Sequence, residues 1–301
     1  VMGTYRAVQS EDSGFKDLAS DQAKAKLIEQ DGRWEELPYW QAIAKNSSRW
    51  TPDYLLAAVD LKRTPQGEIV KVAEDEAAFS DILLRTFEMS AVVTFFCLLL
   101  AYPLAYWLST LPERKANMLL ILVLLPFWTS VLVRVAAWIV LLQSGGLINS
   151  ALMGMGLIDK PVELVFNRLG VYISMVHILL PFMILPIYSV MKNISPSYMR
   201  AAVSLGCHPF ASFWRVYFPQ TLAGVGAGCL LVFIISIGYY ITPALLGSPN
   251  DQMVSYFVAF YTNTTINWGM ATALGGLLLL ATMLLYVIYS WLVGASRLRL
   301  G

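Results

Sequence analysis

Long apolar stretches alternate with short polar segments through the last two thirds of the chain. Five of these stretches are long enough to cross a bilayer, because a hydrocarbon core of about 30 Å needs about 20 apolar residues in helical form. They are predicted at residues 87–109, 118–142, 169–191, 222–246 and 270–293. Prolines occur inside four of them, which membrane helices tolerate. The pattern predicts an all-α polytopic membrane protein.

Residues 1–86 follow a different pattern, with short amphipathic runs separated by turn signals. The runs 21–30 and 53–61 predict short helices, and Thr64-Pro65 with Gln66-Gly67 predicts a hairpin or loop near 64–70. Such a small segment cannot bury a large core of its own. We therefore divide the chain into a polar segment, 1–86, and a transmembrane domain, 87–301.

Composition and charge support this division. Apolar residues make up 57% of the chain and charged residues only 14%, which excludes a disordered chain, a nucleic-acid-binding arm and most soluble enzymes. Residues 1–88 carry 11 basic and 16 acidic side chains, whereas residues 89–301 carry 10 and 4. The three cysteines follow no metal-binding or redox spacing, so we interpret them as buried small side chains.

The positions of lysine and arginine predict the orientation in the membrane. Seven basic residues lie in alternate loops and at the C-terminus: Arg114, Lys115, Lys192, Arg200, Arg215, Arg297 and Arg299. The other loops carry only two. Because cytoplasmic loops are the more basic ones, the loop 193–220 and the C-terminus are expected in the cytoplasm and residues 1–86 on the extracytoplasmic side.

Export of residues 1–86 needs a hydrophobic signal, and none lies within them. We therefore expect a signal-anchor helix before Val1, with residues 1–86 as an enlarged outer loop after it. The complete protein would then have six spans.

The loop 193–220 has strong local signals for a helical elbow. Ser195 before Pro196 predicts an N-cap with proline at the first helical position. Gly206 suits a left-handed helix end, Pro209 opens a second short helix, and Pro219 is expected to stop it. From physics alone, an amphipathic elbow lying in the lipid headgroups is the competing interpretation.

The spacing within this loop resembles a family signature. Ala201-Ala202, three residues, Gly206, nine residues, Val216, one residue and Phe218-Pro219 is similar to the loop motif of permease subunits of ATP-binding-cassette importers. Arg200 stands where that family usually has glutamate. The runs YPLAYWL, LPFWTSVLVRVAAW and GYYITPALLGSP resemble the spermidine/putrescine-type branch, and the resemblance covers residues from about 85 to 301.

The resemblance implies a type I importer fold and a place in a larger complex. A homologous second permease, an ATPase dimer at the cytoplasmic face, an extracytoplasmic substrate-binding protein and the lipid bilayer of a bacterial inner membrane would be its partners. The chain has no phosphate-binding loop and is expected to bind no cofactor, so ATP and Mg²⁺ would sit on the ATPase. The expected ATPase contacts are Arg200, Ala201, Ala202, Ser204, Gly206 and Pro219.

A polyamine path needs carboxylates or aromatic faces. The candidates are Trp128, Arg134, Tyr239, Tyr240 and Glu88. Arg134 is the only basic residue well inside a span, where it is costly and faces either the path or a packing partner. The aromatic residues have the same two interpretations. The glycines at 224, 226 and 228 are expected to form a face for the second permease.

Other functions remain open at this point. The same architecture could import an amino acid derivative or an opine-like solute, because the binding protein largely sets selectivity. A membrane sensor or scaffold outside the ATP-binding-cassette class, a secondary transporter and an intramembrane enzyme find less support. No span contains an aspartate, and Ser174 with His177 lacks an orienting acid.

Overall fold

The computed structural model describes residues 20–30, 32–36, 40–41, 51–64 and 66–297. The chain divides into two compact units, Val1–Ala77 and Ala78–Gly301.

The first unit contains short helices and one hairpin. Helices α1 and α2 span Ser20–Gln30 and Asp53–Ala57, with a 3₁₀ turn at Gly32–Glu35. Strands β1 (Leu61–Arg63) and β2 (Ile69–Lys71) pair antiparallel, with Lys62 opposite Val70. The hairpin predicted near 64–70 is confirmed. The helix predicted over 53–61 is shorter, because Asp60 adopts a left-handed φ of 56° that ends the helical run before β1.

Within the residues that the structure describes, the regular structure of the second unit is entirely helical. Its helices are α3 (Phe79–Thr110), α4 (Glu113–Leu124), α5 (Val131–Leu142), α6 (Leu147–Gly154), α7 (Arg168–Lys192), α8 (Pro196–Ser204), α9 (Pro209–Ser212), α10 (Phe218–Ile237), α11 (Ile241–Leu246), α12 (Val254–Asn263) and α13 (Trp268–Arg297). In the described part of the chain, five stretches are long and apolar enough to cross a membrane. The polytopic all-α prediction is confirmed.

Three predicted spans correspond to single helices, α3, α7 and α13. The first begins earlier than predicted, at Phe79 instead of residue 87. Pro103, Pro181 and Pro186 lie inside α3 and α7 without ending them. Apolar length alone therefore located these three helices.

The other two predicted spans are interrupted. The prediction of one helix over 118–142 is wrong, because α4 ends at Leu124 and a 3₁₀ turn containing Pro126 separates it from α5. The second span-length stretch consequently lies at Val131–Gly154, over α5 and α6. The helix predicted over 222–246 breaks after Ile237 and restarts as α11, whose first turn holds Pro243, a position that needs no amide hydrogen.

Helix α7 forms the centre of the second unit, between α3 and α10. The prediction of one glycine face toward a second permease is wrong, because all three glycines face helices of this same subunit. Gly224 and Gly228 lie against α7, and a Cβ on Gly224 would come within 2.9 Å of the Pro186 carbonyl oxygen. Gly226 faces the Tyr289 ring of α13 instead. Residues four apart share a helix face and residues two apart do not, which explains the division.

Candidate functional site

Helix α8 is a short, well-capped helix in the predicted cytoplasmic loop. The Ser195 hydroxyl accepts a hydrogen bond from the Ser197 amide at 3.3 Å, and Pro196 occupies the first turn. At the other end Gly206 has φ +89°, and its amide donates to the Val203 carbonyl at 2.9 Å. The Cys207 amide donates to the Ala202 carbonyl at 3.1 Å, which completes a Schellman motif. The predicted cap and left-handed ending are both confirmed.

The residues expected to contact an ATPase lie mainly on the surface of α8. Arg200, Ala201, Ser204 and Gly206 are exposed, and Ala202 is half-buried. No atom lies within 4 Å of where a Cβ on Gly206 would be, so only its backbone conformation requires glycine. The helix thus offers a small, accessible contact surface.

Pro219 has a different place from the predicted one. The helix that opens at Pro209 continues through a π turn, Phe213–Tyr217, directly into α10, so Pro219 lies exposed inside one stretch from Pro209 to Ile237. The expectation that it stops this helix is wrong. A π turn bonds each amide to the carbonyl five residues back and is therefore wider than an α-helical turn. Here it precedes Pro219, which has no amide hydrogen and whose ring crowds the carbonyl four residues earlier.

Aromatic rings join this π turn to helix α3. Tyr106 lies 5.6 Å from Phe213 and 5.4 Å from Tyr217 between ring centroids, and Tyr102 lies 5.9 Å from Phe218. No pattern described above for the sequence predicted this cluster. Its signal was the spacing of Tyr102 and Tyr106, which are four residues apart and therefore share one helix face. The cluster connects the elbow to α3, which packs against the central helix α7.

Two of the predicted path residues are exposed at the helix breaks. Trp128 is the last residue of the 3₁₀ turn between α4 and α5, and it is 90% exposed. Tyr240 lies between α10 and α11 and is 42% exposed. Tyr239 is half-buried, and its carbonyl accepts a 2.6 Å hydrogen bond from the Ser255 hydroxyl. The ring centroids of Tyr240 and Tyr256 lie 6.2 Å apart, so α12 packs against the break between α10 and α11.

Arg134 is half-buried in the first turn of α5. It lies close enough to interact electrostatically with His177 and Tyr239, and its Nε has no hydrogen-bond partner among the residues that the structure describes. One turn later on the same helix, the Trp138 indole donates to His177 Nδ1 at 3.3 Å. Arg134 thus lies within electrostatic range of Tyr239 and of His177 on α7.

Glu88 belongs to an ion network. Its carboxylate lies 3.9 Å from Arg168 Nη1, and Arg168 Nε donates to Asp251 at 2.8 Å. The Asp251 carboxylate also accepts from the amide and hydroxyl of Ser248, at 3.1 and 2.6 Å. Burial alone would raise the pKa of Asp251, but the Ser248 and Arg168 hydrogen bonds outweigh it and hold this pKa below its ordinary value. Arg85 donates to the Asn250 carbonyl beside it.

Residues 78–300 match the family described as the inner membrane component of binding-protein-dependent transport systems. The chain belongs to this family. It is therefore a multi-pass inner membrane component of a transport system that depends on a binding protein, and it is not an enzyme. The predicted importer permease is confirmed.

Several relatives carry names of the same kind. The chain is 34% identical over 212 residues to the spermidine/putrescine transport system permease protein PotB of Haemophilus influenzae, covering 70% of this chain and 74% of that one. It is 32% identical over 209 residues to PotB of Escherichia coli K12, covering 69% and 76%. The inner membrane ABC transporter permease YdcU of E. coli K12 is 30% identical over 215 residues, with 66% and 68% covered. The resemblance to the spermidine/putrescine-type branch is thus confirmed.

Two solved structures share the fold. A bacterial alginate ABC transporter in complex with its alginate-pentasaccharide-bound periplasmic protein superposes with a TM-score of 0.61, at 15% identity, over 88% of this chain and 91% of that one. A second alginate importer structure gives 0.54 at 16% identity over 91% and 94%. The predicted type I permease fold is confirmed by these likenesses.

Proposed function

We propose that this permease subunit imports polyamines such as spermidine and putrescine, driven by ATP that a separate ATPase dimer hydrolyses. The observation that carries the proposal is the identity of about one third with PotB proteins over about 70% of the chain. ATP and Mg²⁺ bind to the ATPase and not to this chain. A homologous second permease and an extracytoplasmic binding protein complete the complex.

Helix α8, which we call the coupling helix, transmits the motion of the ATPase. Its exposed, small side chains fit a groove on that subunit, where Arg200, Ala201, Ala202, Ser204 and Gly206 make contact. The continuous helix from Pro209 to Ile237 and the aromatic contacts to α3 carry the movement into the bundle. Rigid-body rocking of the spans then alternates access to a central path. Pro219 lies beyond the π turn and contributes to coupling through its effect on the shape of the elbow.

In the proposed topology the coupling helix and the C-terminus are cytoplasmic and residues 1–86 are extracytoplasmic. The basic residues of the loops support this orientation.

The two helix breaks line the transport path. A bilayer core offers no hydrogen bonds to irregular backbone, so such backbone occurs where it is buried in protein or lines a water-filled cavity. The Trp128 break is largely exposed in the single subunit, as are Thr129 and Ser130 after it. Trp128 and Tyr240 would bind the ammonium groups of the substrate through their ring faces.

Arg134 and Glu88 have different roles in this proposal. The positive charge of Arg134 opposes a polycation, so Arg134 controls passage or pairs with a carboxylate of the second permease. Glu88 lies at the other end of the path, where its exposed carboxylate and the network around Arg168 meet the arriving substrate.

The decisive test is transport by the complete complex. The chain, its second permease, its ATPase and its binding protein are reconstituted in proteoliposomes, and uptake of labelled spermidine, putrescine, an amino acid derivative and an opine is compared with and without ATP. Polyamine uptake that requires both ATP and the binding protein is expected. Uptake of one of the other solutes alone would replace the substrate assignment, and failure of the chain to co-purify with an ATPase would refute the importer.

A further inference from the structure

The coupling helix presents chemically different surfaces around its axis. Met199 is half-buried and packs against the core of the second unit, so it marks the side that faces the protein. At about 3.6 residues per turn, Ser197, Ala201 and Ser204 lie on the opposite side, and all three are exposed. Another protein can therefore approach the backbone closely on this outward side.

The two flanks of the outward side differ from each other. Tyr198 and Leu205 are seven residues apart, so they lie on one flank, where they are 54% and 89% exposed. Arg200 lies on the other flank and is exposed as well. An amphipathic helix lying on a bilayer turns one apolar face toward the lipid. On the coupling helix, the outward side carries small and mostly polar side chains, with an apolar flank on one side and a charged flank on the other. This arrangement fits a groove with two walls better than a flat lipid surface.

The segment around the coupling helix carries positive charges and no negative ones. Residues 193–220 contain Arg200 and Arg215 but no aspartate or glutamate. Across the ranges that the structure describes, neither arginine forms an ion pair. A partner surface that buries the Arg200 flank must therefore supply the negative charge itself, because a charge buried without a partner is costly.

We propose that the ATPase groove of this transporter has an apolar wall against Tyr198 and Leu205 and a carboxylate on the opposite wall that pairs with Arg200. The inference rests on the proposed function and specifies the partner of the same helix. A guanidinium binds a carboxylate through two parallel hydrogen bonds, which fixes the orientation of the helix in the groove. The same pairing would reject an ATPase whose groove is basic there, because two positive charges would then meet.

The test uses the complete transporter in uncharged and in anionic vesicles. Arg200→Glu, Arg200→Gln and Arg200→Lys are compared, with Arg114→Glu as the control, because Arg114 is also exposed on the predicted cytoplasmic side. Arg200→Glu is expected to lower ATPase co-purification and ATP-driven uptake about tenfold in both vesicle types, and Arg200→Gln about threefold. Arg114→Glu stays within about twofold. Arg200→Lys falls between wild type and Arg200→Gln, because lysine keeps the positive charge but cannot form the two parallel hydrogen bonds. Exchange of one groove carboxylate for lysine restores Arg200→Glu.

Three results would overturn the inference. If Arg200→Glu keeps full assembly and uptake while Leu205→Asp abolishes them, the groove has no acidic wall, but the coupling role stands. A loss confined to anionic vesicles assigns Arg200 to lipid headgroups. If neither Arg200→Glu nor Leu205→Asp has an effect, the coupling helix is not the ATPase contact and the proposed function loses its coupling step as well. An unchanged melting temperature of each variant shows that the subunit is still folded.

Discussion

Arg168 Nε and an oxygen of the Asp251 carboxylate lie 2.8 Å apart, although 83 residues separate them in the chain. The pair joins the start of α7 to the 3₁₀ turn Pro249–Asp251, which precedes α12. The Asp251 side chain is 6% exposed and that of Arg168 is 38% exposed, so solvent screens the pair on one side only. This geometry ties the loop after α11 to the central helix of the bundle.

We expect Asp251→Asn to destabilise the second unit. Breaking a buried pair leaves a charge without its partner, which costs about 3–5 kcal/mol when both groups are buried. Because Arg168 is partly exposed, a loss of about 2 kcal/mol is expected, seen as a lower melting temperature of the purified complex in detergent. Glu88→Gln is the control. Its carboxylate is 57% exposed and 3.9 Å from Arg168, so it should change stability by less than about 1 kcal/mol.

The stabilisation by Asp251 should disappear in acid. The pKa of this carboxyl is lower in the folded protein than the value of about 3.9 expected when unfolded. The folded state thus binds the proton less readily, so the contribution is complete above the unfolded pKa and is lost as the pH falls through the folded pKa. The difference in melting temperature between wild type and Asp251→Asn should therefore begin to shrink as the pH approaches the unfolded pKa and should keep shrinking below it. A melting-temperature difference that does not change with pH would show that the charge of the Asp251 carboxylate is not its cause.

Close packing of α7 and α10 predicts that Gly224→Ala is destabilising. Its Cβ would lie 2.9 Å from both the Pro186 carbonyl oxygen and the Val190 Cβ, and backbone cannot move aside cheaply. Overpacking of this kind costs about 1–3 kcal/mol. Gly276→Ala in α13 is the matched control, because nothing lies within 4 Å of its Cβ position and alanine favours helix by about 1 kcal/mol. Equal melting temperatures for both variants would contradict the packing.

The sequence was sufficient for helices whose only requirement is apolar length, and for caps that depend on one or two residues. α7 and α13 follow from hydropathy, and the end of α8 follows from Gly206, because few other residues adopt a left-handed φ easily. Hydropathy does not report backbone hydrogen bonding, however. It therefore joined the helices on either side of Pro126 and those on either side of Gly238 into single spans.

Features that depend on neighbouring helices were beyond the sequence. Pro219 looked like a helix stop, yet the π turn before it allows the helix to continue. Helix α12 has ten residues, too few to stand out as a span. The ion pair of Arg168 with Asp251 depends on how two distant segments pack, and neither residue has a local pattern that names its partner. Of the site residues, the sequence could place the coupling helix but not the contacts of Arg134 or Glu88.

The left-handed backbone of Gly206 predicts that its substitution impairs coupling between the ATPase and transport. Since open space surrounds its Cβ position, Gly206→Ala adds only the cost of a left-handed φ, about 1–2 kcal/mol, which loosens the end of the coupling helix. We expect ATP-driven uptake to fall several-fold, while Gly206→Trp, which also obstructs the groove, abolishes it. Gly154→Ala is the control, because that glycine has open space and no left-handed φ. Normal uptake by Gly206→Trp would exclude a docking role.

The exposed position of Trp128 predicts that its substitution lowers the affinity for substrate and leaves folding unchanged. Its side chain is 90% exposed in the single subunit, so Trp128→Ala removes little packing. An ammonium group over an indole face gains about 0.5–2 kcal/mol, so the KM for polyamine uptake should rise about two- to thirtyfold, with Trp128→Phe between wild type and Trp128→Ala. Trp291→Ala is the control, since Trp291 is 72% exposed on α13 and outside both helix breaks. KM is measured at saturating binding protein over a range of spermidine concentrations. An unchanged KM with Trp128→Ala would remove this break from the path, whereas a lowered melting temperature would assign Trp128 to packing against the second permease.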